Sequence, residues 1–176
     1  MKKFLTILLS AMFSGLICVN CSGEKKNISD QENISDDSLL TLVQYRTVRY
    51  FWEGAEPNSG MARERIHMDG VYPENDMNVV TSGGSGFGVM AIIAGIERGF
   101  ITRQDGIARL SKIVNFLKNA DRFHGAWPHW IYGETGKVKP FSPRDNGADL
   151  VETAYLIQGL LAVRQYLKDG NESEKE

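Results

Sequence analysis

Three carboxylates, Asp145, Asp149 and Glu152, stand together in the string DNGADLVE, directly after a loop rich in Trp and His. On a helix of 3.6 residues per turn, offsets of 0, 4 and 7 fall within about 60° of arc. The run that follows, LVETAYLIQGLLAV, is apolar nearly all the way round. Stacked acids on such a helix need a reason, because unpaired buried charge is costly. Glycoside hydrolysis supplies one, since it needs a protonated acid and an ionised base or nucleophile. Glu152, deepest in the apolar run, is the better candidate for the acid. In the competing reading, Asp149 and Glu152 only cap the first turn or pair with a cation such as Arg144.

The loop before the acids raises the weight of the catalytic reading. Trp127, Trp130, Tyr132 and Phe141 crowd it, together with His124 and His129. Exposed aromatic faces stack on the C–H face of sugars, and imidazoles hydrogen-bond hydroxyls. The same rings would also suit a satellite core under a long loop. The spacing H-x4-H matches no common zinc pattern and HExxH is absent, so no metal and no cofactor is expected, with calcium at the carboxylates as the alternative. Further upstream, TSGGSGFG lacks the order of a phosphate-binding loop and has no Lys after it. Its glycines suit a tight helix entry and close packing, and its N–H groups could take a hydroxyl or an anion. In GMARERIHMDG, Arg63 and Glu64 are the residues best placed to reach a cleft.

Four helices must position these groups. All five prolines fall in two windows, about 53–84 and 121–146, which read as loops. Between them the periodicity predicts helices over 36–52, 85–98, 103–120 and 147–168. The first carries a stripe of Leu39, Leu42, Val43, Thr47 and Tyr50, with Ser35 or Asp36 as N-cap. The third opens on Thr102 with Asp105 as a capping-box partner, and its stripe is Ile107, Leu110, Ile113, Val114 and Leu117. The second and fourth are apolar on nearly every face. Amphipathic and buried helices thus alternate, as in an α/α toroid, with long functional loops leading into the buried ones. The expected fold class is all-α, about the first four helices of an (α/α)6 toroid. A plain four-helix bundle is the alternative.

The ends of the chain read differently. Residues 1–21 begin MKKF, continue apolar to Val19 and end at Cys21, which is an export signal rather than a membrane span. We expect lipidation at Cys21, with ordinary signal cleavage as the alternative and Cys18–Cys21 redox chemistry as a distant third. Residues 22–38 are polar and read as a tether, 39–170 as the folded region, and 171–176 as a polar tail. The expected location is exported and membrane-anchored. A formal charge of −2 and the absence of any basic run argue against nucleic acid as a partner.

Four strings carry a family resemblance: YFWEGAEPNSGMARER, TSGGSGFGVMAIIAGIERGFITR, FLKNADRFHGAWPHW and DNGADLVETAYLIQGLLAVRQYL. In combination they resemble the bacterial glycoamylase-like family, which includes the endo-β-1,2-glucanases, over most of residues 45–167. The resemblance implies an (α/α)6 toroid and hydrolysis of β-1,2-glucan by an inverting route. It implies catalytic roles within DNGADLVE, hence at Asp145, Asp149 and Glu152. Trp127, His129, Trp130, His124, Arg63 and Glu64 are the expected substrate contacts. Family members are about twice this length or more, so a truncated and inactive product is expected from these residues alone. A glycan-binding lipoprotein that breaks no bond, and an exo-acting glucoamylase-like enzyme, remain as alternatives.

Overall fold

The computed structural model describes residues 34–140 and 142–175. Cys18, Cys21, Phe141 and most of the proposed tether therefore lie outside the described residues. Helix α1 spans Asp36–Trp52, strand β1 Val79–Thr81, α2 Ser82–Glu97 and α3 Arg103–Asn119. Strand β2 (Trp130–Tyr132), α4 (Leu150–Leu167) and a single turn, α5 (Glu172–Lys175), complete the order. The chain is helical, but the two proline windows are not plain loops. They meet in an antiparallel pair, Val79 opposite Tyr132, Val80 opposite Ile131 and Thr81 opposite Trp130. Val80 and Ile131 point into the core, and Arg63 bridges to the other edge of β1.

Helices α2 and α4 run in the same direction and touch along their length. Gly83 meets Glu152, Gly86 meets Tyr155 and Leu156, and Gly159 meets the Gly86 carbonyl and Val89. This closeness explains why α2 starts at Ser82, three residues before the expected start. Glycine is a poor helix former, yet Gly83, Gly86 and Gly88 lie inside the helix, where Glu152, Tyr155 and Phe51 crowd the place a Cβ would take. A Cβ on Gly86 would stand 2.2 Å from the Tyr155 carbonyl oxygen. Helix α4 starts later than expected, because Asp149 caps it.

The amphipathic assignments divide. In α3, Thr102 accepts from the Asp105 N–H at 3.1 Å, and Leu110, Ile113 and Leu117 are buried as expected. Ser35 caps α1 through the Ser38 N–H. The packed side of α1, however, is not the predicted stripe. Tyr45 lies edge-on to Phe100, Val48 fills the space over Gly95, and Trp52 lies under the Arg109 guanidinium. Leu39, Leu42 and Val43 are exposed, and Tyr50, half exposed, donates through its hydroxyl to the Arg63 carbonyl. Helix α1 has two apolar faces, and the gap at Gly95 selects between them. Nor are α2 and α4 buried all round: Phe87, Met90, Val151, Tyr155, Ile157 and Leu161 are exposed. The core joins Met61, Val80, Val89, Ile92, Leu110, Ile113, Ile131 and Leu156 under the sheet.

Candidate active site

The start of α4 fixes the acids. Pro143 and Gly147 precede it, and helix dihedrals begin only after Asp149 (φ −116°, ψ 114°). The Asp149 Oδ1 accepts from the N–H groups of Val151 at 2.9 Å and Glu152 at 3.0 Å, two donors that the helix itself cannot pair. The Asp149 N–H in turn donates to the Trp127 carbonyl at 2.9 Å. Thr153 completes the clamp, accepting from the Trp127 N–H and donating to its carbonyl. The Trp-containing loop is thereby stitched to the helix start.

Glu152 sits in the first turn of α4 and points across the seam to α2. Its Oε2 accepts from the Gly83 N–H at 3.0 Å and the Thr81 hydroxyl at 3.3 Å. The sequence suggested a hydroxyl or an anion at the glycine run, and the group that takes the Gly83 N–H is the protein's own Glu152 side chain. A Cβ on Gly83 would come within 2.2 Å of the same oxygen, so a side chain there would push the Glu152 carboxyl out of its place. His129 lies against both acids: Nδ1 is 3.5 Å from Asp149 Oδ2 and Nε2 is 3.9 Å from Glu152 Oε2. Trp130 follows in β2, opposite Thr81, so both side chains leave the same face of the sheet. The Trp130 ring takes the His129 ring on its edge, and the Lys139 ammonium stands 5.3 Å from its centroid. Asp149, Glu152, His129 and Trp130 thus converge, with Thr81 and Gly83 as supports.

Other expected residues lie elsewhere. Asp145 is not on α4. It is exposed in a turn closed with Ser142 and shares no helical face with Glu152. Trp127 offers no stacking face: it is 8% exposed, its indole N–H donates to the Leu117 carbonyl, and Arg122 lies over the ring. Arg63 is a clamp for the backbone, donating to the carbonyls of Met77, Gly54 and Ala55. Glu64 is engaged by Arg65. His124 is exposed at the tip of the Phe123–Ala126 turn with φ 54°. Among the described residues no group of three or more His, Cys, Asp or Glu side chains could hold a metal ion.

Thr81 and Gly83 carried no sequence signal of their own beyond the glycine run. A second feature without one is Glu56, wholly buried in the turn EPNSG. It accepts from the backbone and side chain of both Asn58 and Ser59 at 2.7–3.0 Å. Burial pushes its carboxyl up, but these four hydrogen bonds outweigh that and hold it below the usual carboxylate range. Gly133 packs directly on this carboxylate, which ties the turn to the end of β2.

No family model matches the chain. A solved endo-β-1,2-glucanase from Chitinophaga pinensis, in complex with sophorotriose and glucose, is 71% identical with a TM-score of 0.79. The match covers 80% of this chain and 34% of that one. A solved β-1,2-glucanase from Parabacteroides distasonis is 54% identical with a TM-score of 0.73, over 80% of this chain and 19% of that one. From the same organism, an exo β-1,2-glucooligosaccharide sophorohydrolase acting at the non-reducing end is 56% identical over 144 residues, 81% of this chain and 19% of the relative. The chain therefore spans about a third or less of the length of these relatives. With 54–71% identity over about four-fifths of its residues, this chain belongs to the glycoamylase-like family that includes the endo-β-1,2-glucanases.

Proposed function

We propose that these residues form the α2–α4 wall of a glycoside hydrolase cleft acting on β-1,2-linked glucan. The observation that carries the reading is the convergence of Asp149 and Glu152 on His129, beside Trp130, at the start of α4. Hydrolysis of a glycosidic bond uses a pair of carboxyl groups, one as acid and the other as base or nucleophile, and Asp149 and Glu152 would supply that pair. Asp145 and His124, both exposed nearby in sequence, enter the proposal as outer contacts of the sugar chain. The mode is endo-hydrolysis. Exo-release of a disaccharide is the second reading, favoured by the name of the sophorohydrolase relative. The (α/α)6 ring belongs to the same proposal: the exposed apolar faces of α1, α2 and α4 are the surfaces on which its further helices would pack.

Reducing-sugar release from β-1,2-glucan tests this in two forms, the 176-residue chain and the same residues joined to the remaining sequence of the Chitinophaga relative. Glu152→Gln should lower turnover by orders of magnitude with the fold and glucan binding intact. Undiminished turnover would return Glu152 to a structural role. Mixed product lengths mark endo action; a single disaccharide product marks exo action. Export and a lipid anchor at Cys21 complete the proposal and rest on the sequence pattern alone. Labelling with a fatty-acid analogue, lost in Cys21→Ser, is the expected outcome, and unchanged labelling would exclude that residue.

A further inference from the structure

His129 meets both acids through the two opposite edges of one rigid ring. We propose that it is a positioning residue, which spans Asp149 and Glu152 and fixes the angle between them, rather than a ligand for glucan hydroxyls. The proposal rests on the glycosidase reading above for its purpose, but its geometry stands separately.

Each of the three residues is anchored: His129 through its backbone carbonyl, Asp149 through the carboxylate oxygen turned away from the ring, and Glu152 through the same Oε2 that faces the ring. The His129 carbonyl accepts from the Ser82 N–H at 3.1 Å and the Ser82 hydroxyl at 3.4 Å, and the same hydroxyl donates to the Pro128 carbonyl at 2.8 Å. Ser82 is fully buried at the first position of α2, so the loop carrying His129 is pinned to that helix. Asp149 is held through Oδ1 by the first turn of α4, which leaves Oδ2 turned towards Nδ1. Glu152 is held through Oε2 by the Gly83 N–H. The imidazole closes the circuit between α2 and α4.

Ring chemistry explains why a histidine stands here. Imidazole carries a nitrogen on each of two edges, whereas a Gln amide donates from one end and a Lys ammonium is a point charge on a flexible stem. At 3.5 and 3.9 Å the contacts are longer than closed hydrogen bonds. Contacts of this kind tighten when a substrate completes the site.

The test reads position before it reads rate. The Gly83 amide reports Glu152, and the Val151 amide reports the Asp149 cap. In the ¹⁵N-labelled 176-residue chain, His129→Ala should move the Gly83 signal in the direction that Glu152→Gln moves it. The Val151 signal should move too, with Gly133 left in place. His129→Gln, which keeps the bulk of the ring, guards against simple unfolding and should give the same pattern. Unmoved Gly83 and Val151 signals in both variants would overturn the proposal. In the chain joined to the remaining sequence of the Chitinophaga relative, His129→Ala should lower kcat about 10- to 100-fold with KM nearly unchanged. Imidazole in the buffer should restore part of the loss. A raised KM at unchanged kcat would make His129 a substrate ligand and overturn its positioning role. If the amide signals respond but no glucan is cleaved even with His129 present, the spanning geometry is upheld and the glycosidase reading alone fails.

Discussion

Gly159→Ala places a methyl group where α4 crosses α2. In a helix interior Ala is ordinarily better than Gly by about 0.8–1.0 kcal/mol. Here the new Cβ would stand 2.3 Å from the Gly86 carbonyl oxygen, 2.7 Å from Val89 Cγ2 and 2.9 Å from the Gly86 carbonyl carbon. Ordinary Cβ contacts begin near 3.4 Å, so the helices must part by about 1 Å, and the obstacle is backbone rather than a side-chain tip. Overpacking a tight core costs about 1–3 kcal/mol, occasionally more. With two backbone atoms in the way the upper end applies, and the propensity gain offsets about a third of it. The net expectation is a loss of about 2 kcal/mol, or roughly 4–8 °C in Tm for a chain of this size. Gly147→Ala is the control: its Cβ would meet nothing within 4 Å and its φ is not positive. That change should be neutral or stabilise by up to about 1 kcal/mol through the unfolded chain. Urea unfolding followed by far-UV circular dichroism measures both. A Gly159→Ala midpoint at or above that of the unsubstituted chain would refute the account of the seam.

Other expectations follow from single contacts. Asp149→Asn keeps an N-cap acceptor, so stability should change by less than about 0.5 kcal/mol while turnover in the joined protein collapses; Asp149→Ala should cost about 1 kcal/mol as well. Equal unfolding midpoints for Asn and Ala would deny the capping role. Glu56→Gln places an amide against donors, and the loss should be about 1–3 kcal/mol, read as a lowered Tm. Because the folded-state carboxyl of Glu56 titrates below its unfolded value, its stabilisation is complete above about pH 4.3 and is lost as the pH falls through the folded value. Below about pH 4 the Tm of the unsubstituted chain should therefore fall more steeply than that of Glu56→Gln, and parallel curves would contradict it. Trp127→Phe removes one buried hydrogen bond to Leu117 and should cost about 1 kcal/mol with glucan affinity unchanged; weakened binding without unfolding would return Trp127 to the cleft.

Much of this architecture was legible because it is local. Proline placement and the Thr102–Asp105 cap locate α1 and α3 closely, since each signal acts within one turn. What depends on distant partners was not legible. The glycine run reads as a helix entry, and only the seam with Tyr155 and Leu156 shows that it lies inside α2. Either apolar face of α1 satisfies the periodicity, and the gap over Gly95 settles which is packed. Glu152 and Asp149 were visible as an acid pair, and His129 as a neighbour. Asp145 falls away because the cap at Asp149 delays the helix, a choice made by two backbone N–H groups. Trp127 and Arg63 were misplaced for one reason: an aromatic ring or a guanidinium has the same sequence signature whether it meets a ligand or the chain's own carbonyls.

The bond between Glu152 and Gly83 joins residues 69 positions apart, so the carboxylate is placed only after α4 has docked on α2. A sugar that needs that placement recognises the docked state and ignores the undocked one. Its binding therefore adds to stability by mass action, about 2.7 kcal/mol at a hundredfold excess over Kd. Melting temperature then becomes a linkage detector: β-1,2-, β-1,3- and α-1,4-glucans can be ranked by the shift each produces, without cleaving a single bond.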